Sequence, residues 1–223
     1  MRRRKATIAA IIPAYNEEKT ISDVVMAAKE SDLLDEVIVV SDGSTDKTAK
    51  LAKSAGADQV FNLPKKSGKG AAMLHGITHT DSEIILFLDA DLKGLNAGHI
   101  KRLVEPVFRG DKIMLVGIRD RGSILSRMTT RLPLIGGERA MQRFIIENIP
   151  DKYLKGFMAE SALNYYCRSR KLPYGRIFLP GLKIRRKMQK VGFLKGLWQY
   201  VKMIYSIIKA MILVRLARMR GKF

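Results

Sequence analysis

Five short apolar runs rich in Ile, Val and Leu punctuate the first 120 residues, with segments of a different period between them. The runs are TIAAIIP (7–13), EVIVVS (36–41), QVFNLP (59–64), EIILFLD (83–89) and KIMLVG (112–117). They are apolar on both faces, the pattern of strands covered on two sides rather than the alternation of a half-exposed sheet. In EKTISDVVMAAKES (18–31), Ile21, Val24, Val25 and Ala28 recur at helical spacing, and KTAKLAKSAGA, GKGAAMLHGITHT and AGHIKRLVEPVF continue the alternation. Strand and helix in turn predict an α/β fold with a twisted, mainly parallel central sheet and helices on both faces. After about residue 120 the pattern turns irregular and shows no clear strand.

Ligands of open α/β sheets bind beyond the carboxyl ends of the strands, so the strand-end loops are the places to look for chemistry. SDGSTDKT (41–48) follows one buried run. Read as a plain strand-to-helix turn, it has Ser44 or Thr45 as N-cap and Asp46 in the first helical turn. That reading leaves Asp42 and Gly43 without a task. A second run ends in LDADLKG, where Asp89 and Asp91 flank Ala90. A lone D-x-D is common, but here it follows a buried strand and shares a sheet edge with Asp42. Hard carboxylate oxygens of this kind suit Mg²⁺ or Mn²⁺ carrying a diphosphate.

The net charge of +20 is unevenly placed. Glu160 is the last acidic residue, and sixteen Lys and Arg follow it with no Asp or Glu. The end of the chain, VGFLKGLWQYVKMIYSIIKAMILVRLARMR, is expected to form a helix. Lys195, Lys202 and Lys209 fall on one stripe of it, while Trp198, Val201, Ile204, Tyr205, Ile208, Met211 and Ile212 form an apolar face. The lysines interrupt the apolar stretch before it nears the ~18 residues a spanning helix needs, so the segment is expected to lie on an anionic membrane surface. Stacking aromatics do not interleave with the basic residues, so no nucleic acid is expected. Cys167 is the one cysteine, which rules out an intrachain disulfide. The apolar stretch behind MRRRK is too short for a signal peptide. The expected location is therefore cytoplasmic and peripheral to the inner face of the membrane. His75, His79 and His99 fall in predicted helices or their caps and are read as structural.

Taken together, IIPAYNEEKTISDVV, VIVVSDGSTDKT, GKGAAMLHGI and ILFLDADL resemble, in that order and spacing, the nucleotide-binding half of family-2 glycosyltransferases with the GT-A fold, over roughly residues 7–120. The resemblance implies a metal-dependent hexosyltransferase that uses a UDP- or GDP-sugar. It places Pro13, Ala14, Tyr15 and Glu17 around the nucleoside, Asp42 at the base, and Lys69 and Gly70 near the ribose and phosphates. It assigns Asp89, Ala90 and Asp91 to the DxD motif, with Asp91 as direct metal ligand and Asp89 as ribose or metal contact. It further implies an acidic general base beyond the DxD. Glu160, in GFMAESALNYY, is the candidate, with Glu138 and Glu147 as competitors. Three departures stand out. Ser41 occupies a position where relatives often have Asp, Lys93 follows the DxD where some relatives carry Gln, and no His follows His99, which leaves the third metal ligand open.

Arg119, Arg121, Arg127, Arg131, Arg139 and Arg143 crowd into twenty-five residues. Arginine is suited to bidentate phosphate recognition. Arg119, Arg127, Arg131 and Arg139 are the candidates for an acceptor phosphate, and a membrane lipid or polyprenyl phosphate acceptor would unite them with the basic tail. The expected organisation is a catalytic domain at 1–185, with a nucleotide-sugar half at 7–120 and an acceptor half at 121–185, followed by the tail at 186–223. A sugar-phosphate nucleotidyltransferase is the competing reading. Its early loop should be glycine-rich and basic, whereas PAYNEEKT is acidic and lacks glycine.

Overall fold

Strand β1 (Ile8–Ala14) is buried at every position because it lies inside a sheet covered on both faces. The computed structural model describes residues 6–120, 136–154 and 158–184. The basic tail, on which a helix is expected, and Arg121, Arg127 and Arg131 lie outside the described residues. β1 pairs in parallel with β2 (Glu36–Ser41) on one side and with β4 (Ile84–Phe87) on the other, while β3 (Gln59–Asn62) extends the sheet beyond β2. The chain thus builds outward from β1 in one direction and then returns to its other side. That reversal makes a crevice between β1 and β4 at the carboxyl edge.

The two faces are sorted by the period of two along each strand. Ile8, Ala10 and Ile12 of β1 meet Val24 and Val25 of α1 (Ile21–Lys29), Ala52 of α2 (Thr48–Ser54) and Ile100 and Leu103 of α4 (Ala97–Phe108). Ala9 and Ile11 face the other way, toward Ala72 and Ile77 of α3 (Lys69–Ile77). Gly76 lets α3 press onto β1, since a Cβ there would stand 2.5 Å from Ile11 Cγ2.

The irregular stretch after residue 120 does contain strands, and they join the one that falls on the expected run KIMLVG. β6 (Met114–Arg119), β7 (Arg139–Gln142) and β8 (Tyr174–Leu179) complete a seven-stranded sheet in the order β3-β2-β1-β4-β7-β6-β8. β7 is inserted antiparallel between β4 and β6; all other neighbours in the sheet run parallel. Helices α5 (Phe144–Glu147) and α6 (Met158–Ser169) pack Ile145, Ala162 and Leu163 against the α3 face. A small antiparallel pair, β5 (Leu92–Lys93) with β9 (Lys183–Ile184), ties the segment after Asp91 to the end of the described chain. His99 is structural, with Nε2 2.8 Å from the Pro180 carbonyl. His75 and His79 stack with Phe61 beside β3. Cys167 is buried, and burial pushes its thiol up to about 12. Among the described residues, no helix is long and apolar enough to cross a membrane.

Candidate active site

The loops leaving β1 and β2 are stitched to each other. The Asn16 N–H donates to Ser44 Oγ (3.1 Å) and Asn16 Oδ1 accepts from the Thr45 N–H (2.9 Å). The Glu17 N–H donates to Thr48 Oγ1 (2.9 Å), and the Glu18 N–H to Asp46 Oδ2 (3.2 Å). The expected N-caps are therefore corrected. Ser44 and Thr45 are taken up by Asn16, α2 starts only at Thr48, and it is Asp46 Oδ1 that accepts the Thr48 N–H (2.9 Å). Most of the polar groups in SDGSTDKT thus shape the rim of the crevice.

Asp42 has a second duty besides facing that crevice. Its two oxygens accept the backbone N–H groups of Ser67 (2.6 Å) and Gly68 (2.8 Å), which pins the loop after β3. Gly43, at φ +67°, makes room for this, because a Cβ there would stand 2.6 Å from the backbone of Lys65 and Lys66. The pinned loop delivers Lys66, whose Nζ lies 3.7 Å above the Tyr15 ring centroid, and Lys69 at the start of α3.

These elements enclose a cavity of about 320 Å³. Its wall takes Pro13, Ala14, Tyr15 and Glu17 from the β1 exit, Asp42 from β2, Lys69 from α3, and Asp89, Ala90 and Asp91 from the end of β4. Gly70 does not reach it; it lines a small apolar gap with Phe87 and Leu163. Lys66, Gly68 and Ala72 also line the cavity and were not anticipated, although KKSGKG beside a strand end was the available signal.

On the other side of Asp89 lies a cluster of paired charges. Lys69 Nζ contacts Asp89 Oδ1, Arg119 Nη1 lies 3.5 Å from Asp89 Oδ2, and Arg119 Nε lies 3.4 Å from Glu138 Oε2. Desolvation at the wall works against the charge on Lys69, but Asp89, Glu160 and Glu138 outweigh it and hold this amine above its usual value. Glu138 is fully buried. Burial, with the Asp89 charge behind it, pushes its carboxyl up to about 7 against the pull of Arg119.

Glu160, in the first turn of α6, stands within electrostatic reach of Lys69, Asp89, Arg119 and Arg139. Burial raises its pKa, and Arg139 and Lys69 oppose the rise. Arg139 requires a correction. It is 2% exposed, reaches Asn164 Oδ1 (3.3 Å) one turn along α6 from Glu160, and so is an interior counter-charge to Glu160 rather than part of a surface phosphate site. Arg143 bonds the carbonyls of Thr80 and Ile77 and the carboxylate of Glu147, so both of these residues are structural. Of the arginine cluster, Arg119 is the described member that stands at the site.

The profile of Glycosyl transferase family 2 matches residues 9–165. Glucosyl-3-phosphoglycerate synthase of Mycobacterium tuberculosis is 30% identical over 187 residues, covering 78% of this chain and 57% of the relative. A 4,4'-diaponeurosporenoate glycosyltransferase of Staphylococcus aureus is 36% identical over 114 residues, covering 49% of this chain and 30% of the relative. The chain therefore spans less than three fifths of the length of these relatives. A crystal structure of the M. tuberculosis synthase in complex with Mn²⁺, UDP-glucose and phosphoglyceric acid superposes with a TM-score of 0.76 at 25% identity, over 94% of this chain and 79% of the other.

Proposed function

The chain belongs to Glycosyl transferase family 2, and from that premise we propose that it moves a sugar, glucose first among the candidates, from a UDP-sugar to an anionic acceptor. The observation that carries this reading is the cavity itself. Tyr15 and Asp42 line it together with Asp89 and Asp91, around a volume of the size a small-molecule site takes. Asp89 and Asp91 would hold Mg²⁺ or Mn²⁺. Both line one cavity, and such ions are commonly held by one or two carboxylates together with substrate phosphates. Among the described residues no group of three or more His, Cys, Asp or Glu is placed to hold an ion, which fits an ion that relies on the donor's diphosphate. When bound, it would neutralise charge on the departing diphosphate.

The chain's own residues supply the rest. Tyr15 and Asp42 hold the nucleoside, and Lys69 is placed to meet phosphate when it leaves Asp89. Glu160 takes the proton of an acceptor hydroxyl; its raised pKa brings it closer to neutrality, where a general base works best. Arg119 offers a substrate phosphate, on donor or acceptor, a planar partner. UDP over GDP, and a small phosphorylated acid as acceptor, are supported by the ligands of the M. tuberculosis synthase structure. A second reading, transfer to a lipid or polyprenyl phosphate at an anionic membrane surface, is favoured by the sixteen basic residues after Glu160. It keeps the division into a catalytic domain at 1–185 and a basic tail at 186–223. A phosphate acceptor of that kind is ionised near neutrality and needs no base. Purified protein incubated with a panel of UDP- and GDP-sugars and Mn²⁺, with 3-phosphoglycerate or polyprenyl-phosphate vesicles as acceptor, separates the readings. Lack of turnover with every donor would overturn both.

A further inference from the structure

Glu138 is a costly residue to keep. Its side chain is wholly shielded from solvent, and neither carboxylate oxygen receives a hydrogen bond. A buried carboxylate without donors is tolerated where a specific charge partner holds it, and here that partner is Arg119 Nε at 3.4 Å. Full burial also keeps Glu138 from touching a substrate, so it cannot act as the general base. The backbone around it is fixed. The Gly117 N–H donates to the Glu138 carbonyl (2.8 Å), and β7 begins at the next residue.

Arg119 is thereby divided between two carboxylates. Nε faces the immobile Glu138, and Nη1 faces Asp89 at 3.5 Å, whose other oxygen belongs to Lys69. The side chain of Arg119 retains 15% exposure. Whenever Asp89 exchanges Arg119 for another cation, the guanidinium loses one anchor and keeps the other.

We propose that Glu138 is a positioning residue: it grips Arg119 by Nε, so that when Nη1 is released from Asp89 the outer nitrogens stay at the cavity edge and bind a phosphate of the substrate. This rests on the reading of the cavity as a nucleotide-sugar site, and it adds a role for a residue that sequence reasoning offered only as a competing base. A carboxylate retained for position rather than stability has a recognisable signature. Glu138→Gln preserves shape and removes a charge that burial disfavours, and Arg119 keeps Asp89 as its partner, so the fold is at least as stable while anion binding weakens.

The test is a double-mutant cycle on Glu138→Gln and Arg119→Ala, read in three ways. These are kcat/KM for UDP-glucose with Mn²⁺, the Kd of inorganic diphosphate by calorimetry without turnover, and the melting temperature at pH 8. Glu138→Gln is expected to weaken diphosphate binding and lower kcat/KM by about tenfold, with an unchanged or higher Tm, and to have no further effect once Arg119 is Ala. Equal losses in both backgrounds, or a loss that tracks a fall in Tm, would overturn the proposal. Coupled loss of diphosphate binding in a protein that turns over no nucleotide sugar would uphold the positioning role and refute the reaction.

Discussion

Gly137→Ala is a sharp probe of the site because one methyl group acts on one side chain of the proposed metal site, Asp89. A Cβ at Gly137 would stand 2.6 Å from both Asp89 Cγ and Oδ1, well inside contact distance. The backbone cannot retreat. Gly136 already packs against Gly117, whose N–H is held by the Glu138 carbonyl (2.8 Å), and the ladder of β6 with β7 follows at once. Asp89 must therefore rotate away from Lys69 and Arg119. The partly exposed ion pairs it gives up contribute little to stability, and overpacking costs about 1–3 kcal/mol. The effect on function is larger, because a displacement near 1 Å at a reacting group costs about a hundredfold in rate. Initial rates of UDP release from UDP-glucose with Mn²⁺, alongside urea denaturation, measure both. Gly175→Ala is the control, since its Cβ would meet only Leu115 Cδ1 at 3.6 Å and Lys112 Cε at 3.9 Å; it should stay within about twofold. Wild-type kcat/KM in a folded Gly137→Ala variant would refute the role given to Asp89.

Asp42→Asn should weaken nucleotide binding and also lower the melting temperature, because an amide nitrogen would face one of the two N–H groups that Asp42 accepts from Ser67 and Gly68; calorimetry with UDP and a thermal melt check this. Glu160→Gln should lower kcat at least tenfold with little change in donor KM, and in the native protein kcat should fall on the acid side as pH drops through the raised pKa of Glu160; pH–rate profiles of the two proteins check this. The stability of the ligand-free protein should also respond to Glu138. Its folded-state pKa lies above the unfolded value, so its contribution is fully present below about pH 4.5 and is lost as pH rises through about 7, a difference of roughly 3 kcal/mol. Urea melts across that window should show this slope in the native protein and not in Glu138→Gln.

The first half of the fold was legible because β1, β2 and β4 are buried on both faces; β3, expected to be covered in the same way, is instead a partly exposed edge strand. EVIVVS announces β2 to the residue, and AGHIKRLVEPVF announces α4. The second half was not, for local reasons. β7 reads RAMQ, and a fully buried arginine at its head breaks the apolar pattern that marks an interior strand. β8 is an edge strand, partly exposed along most of YGRIFL. The same burial explains the site's surprises. Arginines clustered in sequence read as one basic surface, yet Arg139 points into the core toward α6, Arg143 ties off carbonyls, and Arg119 stands beside Asp89. The strand-end carboxylates could be read because they follow directly from strand position. The cluster joining Glu138, Arg119 and Asp89 could not, because an antiparallel insertion brings it together.

The most direct measurement is calorimetric titration of UDP-glucose into the native protein and into Asp91→Ala, each with Mn²⁺ and with EDTA, followed by product analysis of the same mixtures. The native protein should bind and turn over the donor only with the divalent ion. Asp91→Ala, folded as judged by circular dichroism, should lose about a hundredfold or more in turnover. Binding and turnover that persist in EDTA and in Asp91→Ala would contradict the assignment of this cavity as a metal-dependent nucleotide-sugar site.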